Sequence, residues 1–99
     1  MSLTVIARLI ARPGARGMLT AIALANAQAS LTRENGGCLR FEVLADIDDD
    51  RVVQLVTTFR DQDAFERHRR TDHFAAWLTE SAPLLDPAHP KTHHYATSV

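Results

Sequence analysis

Ala64-Phe-Glu-Arg-His-Arg-Arg-Thr-Asp-His-Phe-Ala-Ala-Trp-Leu78 is the stretch whose reading decides the fold. Phe65 and His68 stand three apart and share one face of a helical turn. Thr71 has the character of an N-cap, ending one helical piece and starting the next. Beyond it Phe74, Trp77, Leu78 and Ser81 recur at i, i+3, i+4 and i+7, the stripe of a helix laid on an apolar surface. His68 and His73 therefore flank a helix junction beside an aromatic wall, where two titratable rings can reach one pocket.

Outward from this junction the period changes. Upstream, Val52–Phe59 is apolar at 52, 53, 55, 56 and 59 and reads as a strand, with Asp61 capping the helix that follows and Asp63 in its first turn. Cys38–Leu44 alternates Leu39, Phe41 and Val43 with Arg40 and Glu42. The acidic turn Asp46–Asp50 joins these two segments as an antiparallel hairpin. Thr4–Ala11 also alternates: Val5, Ala7, Leu9 and Ala11 point one way, and Thr4, Ile6, Arg8 and Ile10 the other. Pro13-Gly14 ends it. Residues 15 to about 34 take a helical period, with Met18, Ile22, Ala25 and Ala29 in line and Leu19 and Leu31 nearby. Gly36-Gly37 stops that helix in a left-handed cap. Downstream, Pro83–Pro90 is a loop and Lys91–Val99 a last strand.

The order is β-α-β-β-α-β: an α+β, ferredoxin-like domain with one four-stranded antiparallel sheet and its helices on one face. Ninety-nine residues hold one core, so residues 1–99 are expected to form a single domain. The first and third strands carry apolar residues on both faces, and the helices cover only one. A second copy of the chain is the expected cover, giving a homodimer through the sheet.

Composition excludes several functions. The chain is 45% hydrophobic and 23% charged with a net charge of -1, which gives no electrostatic basis for a nucleic-acid partner. No run approaches the ~20 apolar residues of a membrane span, and Arg8 and Arg12 interrupt the apolar start too early for a signal peptide. The single Cys38 has no internal partner, so a reducing, cytoplasmic setting is expected.

Thr4-Val-Ile-Ala-Arg-Leu9, Arg12-Pro-Gly14, Gly37-Cys-Leu-Arg-Phe-Glu-Val43 and His68-x-x-Thr71-x-His73-Phe74 together resemble the antibiotic biosynthesis monooxygenase (ABM) superfamily, from residue 4 to about 85. The resemblance implies a dimeric α+β barrel with a pocket between sheet and helices. It further implies a cofactor-independent monooxygenase, working without metal, haem or flavin, on a reduced aromatic such as a quinol or naphthol, with molecular oxygen as co-substrate. Two other readings stay open: a small-metabolite isomerase of the same superfamily, and a non-enzymatic dimeric ligand-binding protein. The first strand lacks the asparagine of the haem-degrading branch. The family's Glu-x-Trp or Glu-x-Tyr late in the third strand is Thr57-Thr58-Phe59 here, so a glutamate base at that place does not carry over.

Candidate site residues follow from both sources. His68 or His73 would be the catalytic base, because an imidazole titrates near neutral pH; the alternative is a pair of helix-surface or interface residues bonded to backbone. Asp72, beside His73, is expected to pair with it when protonated. Phe41, Phe59, Phe65, Phe74 and Trp77 would shape an aromatic pocket, or else simply pack the core. Arg40 and Thr57 would bond substrate oxygens, although Arg40 can equally pair with Glu42 on the surface. No metal site is expected: the histidines stand five apart with no carboxylate beside them, and His93 and His94 point to opposite faces of a strand. Asp46–Asp50 lacks the glycine and closing glutamate of a calcium loop. Cys38 is expected to be buried and inert.

Overall fold

The computed structural model describes residues 1–99. Strand β1 (Leu3–Ile10) is followed by α1 (Arg16–Arg33), β2 (Cys38–Ala45), β3 (Val52–Phe59), α2 (Gln62–His68), α3 (Asp72–Ser81), a short 3-10 turn (Ala82–Leu84) and β4 (Thr92–Ala96). The four strands make one antiparallel sheet in the order β2-β3-β1-β4. This is the ferredoxin-like sheet expected, with the second helical segment broken in two at Thr71. No helix is long and apolar enough to cross a membrane.

Alternation along β1 sets the two faces. Val5, Ala7 and Leu9 stand in register with Thr57, Leu55 and Val53 and are buried under the helices. Thr4, Ile6, Arg8 and Ile10 face the other way, where the Thr4 and Thr58 hydroxyls bond at 2.9 Å and Ile6, Ile10 and Val56 stay half-buried. The dry core lies at one end of the helical face. There Leu9, Ala11, Val53, Leu19 and Ala23 are fully buried or nearly so, and Trp77 closes over them from α3.

The inward face of α1 differs from the sequence expectation. Met18 and Ala25 are exposed, and the buried line runs through Leu19, Ala23, Asn26, Ala27 and Ser30. Alanines on several sides leave the apolar stripe weakly marked, and two polar residues occupy the inward face. Ser30 satisfies its hydroxyl by donating to the Asn26 carbonyl at 2.8 Å. The helix ends as expected in left-handed backbone, with φ of 52° at Asn35 and 77° at Gly36. Gly37 serves close approach: a Cβ there would sit 3.2 Å from the Cβ of Ala64 on α2. The turn between α1 and β2 can thus press against the start of α2.

Two other segments differ from expectation. Within the Pro83–Pro90 loop, Leu85 bridges Ala11 and extends the end of β1. Arg51 fastens that corner, donating to the Ala11 carbonyl at 2.8 Å and pairing with Asp86. The final strand is confined to Thr92–Ala96, short of the expected Lys91–Val99. In the acidic turn, the Asp46 carboxylate accepts from the backbone N–H groups of Asp48 and Asp49, as a solvated turn should.

Candidate active site

Each part of the helix junction has a local cause. The Asp61 carboxylate caps α2 by accepting from the Ala64 N–H at 2.8 Å. Thr71 holds both sides of the break: its hydroxyl donates to the His68 carbonyl at 2.7 Å and accepts from the Phe74 N–H at 3.2 Å. This tie ends α2 at His68 and fixes the turn that brings His73 back toward it. The two imidazole centroids lie 5.9 Å apart.

Between them lies Glu34, which follows the last turn of α1. One carboxylate oxygen, Oε2, accepts from His68 Nδ1 at 2.8 Å and from His73 Nε2 at 2.6 Å. His68 is buried and the other two side chains are mostly covered, with exposures of 5% for His68, 7% for Glu34 and 12% for His73. An ionised carboxylate only accepts, so the His68 proton resides on Nδ1 and that of His73 on Nε2. Glu34 Oε1 is buried without a partner. Sequence reasoning named both histidines and missed the glutamate between them. The expected Asp72–His73 pair does not form: Asp72 is exposed on the first turn of α3, and His73 turns to Glu34.

Glu34 also changes the metal argument. The expectation of no metal site rested on the absence of a neighbouring carboxylate, and the fold supplies one from α1. The three donor atoms lie within 4.8 Å of one another. Two imidazoles and a carboxylate can hold a divalent transition metal. In the geometry seen here, both short contacts are hydrogen bonds.

His68 is the member of the cluster that opens on a cavity. With Nδ1 engaged by Glu34, its Nε2 is the nitrogen left for the pocket. The ring packs against Phe59 and Phe74, each centroid 4.9 Å away and tilted by 51° and 58°. Burial is the main influence on its pKa, pushing it below the ordinary histidine value. The Glu34 hydrogen bond and charge pull it back up, and His73 adds a small push down. The site therefore favours a neutral, proton-accepting imidazole.

The cavity measures about 310 Å³ and lies between the sheet and the α2–α3 arm. Phe41, Thr57, Phe59, Phe65, Phe74 and Trp77 all line it with His68, so the structure brings together every proposed site residue except two. Arg40 is exposed on β2 and paired with Glu42, and His73 stands behind His68. The floor is buried: Thr57, Phe59, His68 and, from α1, Asn26, which is 5% exposed with Oδ1 lacking any partner. The mouth is formed by exposed residues, among them Arg69, Leu78, Lys91, His93 and Tyr95. Asn26 was not foreseen. The signal that could have found it is the i, i+4, i+8 line Asn26–Ser30–Glu34, a polar seam on the inward side of α1.

Cys38 is buried in the small cluster of Val5, Phe59 and Ala64, and its thiol donates to the Arg40 carbonyl at 3.7 Å. Burial, with Glu34 adding to it, pushes its thiol up to about 11. It therefore carries almost no thiolate at neutral pH.

Fold and pocket define a small α+β domain with a basic imidazole over an aromatic cavity. Residues 2–80 match the model of the antibiotic biosynthesis monooxygenase family, and the chain belongs to that family. Solved structures share the fold at low identity. Rv0793 from Mycobacterium tuberculosis superposes with a TM-score of 0.87 at 23% identity, covering 100% of this chain and 96% of its own. SnoaB from Streptomyces nogalater, a cofactor-independent oxygenase solved as a point mutant, gives 0.81 at 23% identity, covering 98% and 92%. PA3566 from Pseudomonas aeruginosa gives 0.75 at 25% identity, covering 99% and 94%. No protein of curated function matches the sequence.

Proposed function

We propose that the protein is a cofactor-independent monooxygenase that oxidises a reduced aromatic, a quinol or naphthol, with molecular oxygen. The observation that carries this reading is one imidazole, His68, tied through Nδ1 to a buried carboxylate and facing an aromatic-lined cavity of about 310 Å³. A phenolic substrate lying on the floor gives its proton to His68 Nε2. The resulting imidazolium is neutralised by Glu34 at 2.8 Å, as a carboxylate steadies a catalytic histidine elsewhere. The phenolate that remains is electron-rich enough to pass an electron to oxygen, and the two radicals combine in a new C–O bond. One oxygen atom stays on the ring and the other leaves as water, so a naphthol and O2 give a naphthoquinone and H2O. The protein supplies the base, exclusion of water and ring orientation.

His68 is assigned as the base, with His73 positioned behind it through Glu34. On this reading Thr57 bonds a substrate oxygen, and Phe41, Phe59, Phe65, Phe74 and Trp77 shape the pocket. The working unit is a homodimer through the outer sheet face, supported by the half-buried Ile6, Ile10 and Val56 there; sedimentation at micromolar concentration should give twice the chain mass. The lone free Cys38 fits work in the cytoplasm.

The test is oxygen uptake by metal-stripped protein with a panel of quinols and naphthols. Uptake well above the uncatalysed rate, with quinone and water as products, is the expected result. No uptake across the panel would overturn the reading in favour of proton-transfer chemistry or ligand binding alone. Turnover only with haem and a reductant would move it to haem degradation.

A further inference from the structure

Polarity in the cavity is divided by depth. Its buried floor holds neutral groups, the Asn26 carboxamide, the Thr57 hydroxyl and the His68 ring, among aromatic carbon. Its exposed mouth holds two cations, Arg69 from the α2–α3 junction and Lys91 just before β4, with His93 next to them. No aspartate or glutamate lines any part of it, although the chain as a whole has a net charge of -1. Arg69 is held over the Phe65 ring at 5.6 Å, and its pairing with Glu66 is a loose 3.7 Å surface contact that competes weakly for a ligand.

At the floor, Asn26 Oδ1 is fully buried without a partner. Leaving that carboxamide unpaired costs free energy, and a phenolic oxygen, which accepts from an amide N–H while giving its own proton to His68, recovers part of it. A ligand that satisfies both ends is polar at each extremity and flat and apolar between.

Resting on the oxygenase reading of the same pocket, we infer that its substrate is a hydroxylated aromatic carboxylate. The phenolic oxygen is held at the floor by Asn26 and His68, and the carboxylate at the mouth by Lys91 and Arg69. A carboxylate there replaces solvent around two cations and gains charge-assisted hydrogen bonds. A neutral quinol would leave the mouth unused. Asn26, Lys91 and Arg69 are on this account specificity-determining residues, none of which takes the substrate proton.

Calorimetric binding tests this without any turnover, so it can fail independently of the oxygenase reading. The probes are 6-hydroxy-2-naphthoate, whose hydroxyl and carboxylate lie at opposite ends of the rings, 2-naphthol and 2-naphthoate, titrated into the full-length protein at low salt. The hydroxynaphthoate should bind roughly tenfold or more tightly than the naphthol. That preference should shrink as salt is raised, because the mouth is exposed. In a protein carrying both Arg69→Gln and Lys91→Gln, surface changes that leave the core intact, the two affinities should converge. Asn26→Leu should erase the advantage of the hydroxynaphthoate over 2-naphthoate. Equal or weaker binding of the hydroxynaphthoate relative to the naphthol would overturn the inference. A carboxylate preference that survives loss of both cations would overturn it too. If neutral quinols drive oxygen uptake while no carboxylate preference exists, the oxygenase reading stands and this inference falls.

Discussion

The two ends of helix α1 are buried by opposite means. Near its start, Leu19 and Ala23 press against Leu9 and Val53, all within 1% of complete burial, and nothing there needs a partner. Past its last turn, the Glu34 side chain is nearly as hidden, at 7% exposure, yet it is a carboxylate bonded to two imidazoles with one oxygen left over. The first arrangement is strong because it is apolar and close-packed. The second is costly unless every member stays in place, because removing one partner leaves a buried charge or acceptor exposed to nothing. A fold this small can hold such a cluster only because its other end is dry. The difference shows where stability and chemistry separate along one helix.

Breaking the dry end should produce the largest change in stability. Leu9→Ala empties a site that is 1% exposed and should cost about 2–5 kcal/mol. Thermal unfolding reads it, and the loss should be the same at pH 5 and pH 8. A pH-dependent loss would mean that the two ends are not energetically distinct.

Breaking the polar end by Glu34→Gln should cost less, about 1–3 kcal/mol, since the volume is kept and hydrogen bonding is disturbed. Its distinctive mark is in the pH profile. Glu34 is what raises the His68 pKa against burial. Without it, the acid limb of quinol oxidation should move to lower pH while the maximal rate falls. An unmoved limb would show that Glu34 does not act on the base.

Stability itself should depend on pH through His68. Its pKa is lowered on folding, chiefly by burial, from an unfolded value of about 6.5. Between the two values the unfolded chain binds more protons, so stability rises with pH across that window. Acidification below about 6.5 should therefore lower the melting temperature, and the decline should flatten once the folded pKa is passed. His68→Asn should remove part of that slope and Leu9→Ala none of it.

The smallest effect concerns Cys38. With its thiol pushed up to about 11, an aromatic disulfide reagent at pH 8 should modify it far more slowly in the folded protein than in denaturant. Equal rates would mean that this second small cluster is open to solvent.

Legibility in the sequence followed the range of the interactions. The helix junction was readable because Thr71 caps locally, three residues from each group it bonds. The hairpin and the alternation of β1 were readable for the same reason. The inward face of α1 is hard to read because its alanines mark no single stripe and because Asn26 and Ser30 are residue types usually found at the surface. Glu34 was invisible as a site residue: its partners are 34 and 39 positions away, and nothing beside it announces them. That missing carboxylate had two consequences. It led to the expectation of an Asp72–His73 pair. It also left the metal expectation without its carboxylate. His68 is 5% exposed, packed against two phenylalanines and bonded to Glu34, so truncation to alanine would also cost stability.

For that reason the base is best tested with His68→Asn. The side-chain amide of asparagine can still donate toward Glu34, as Nδ1 does, while the second ring nitrogen, which Glu34 leaves free, is gone. Oxygen uptake with the best quinol or naphthol of the panel should be measured for both proteins, with circular dichroism confirming that the variant is folded. The account predicts that His68→Asn lowers kcat by about 10²–10⁴-fold, the usual worth of a general base. A folded His68→Asn protein that turns over at the unmodified rate would contradict it.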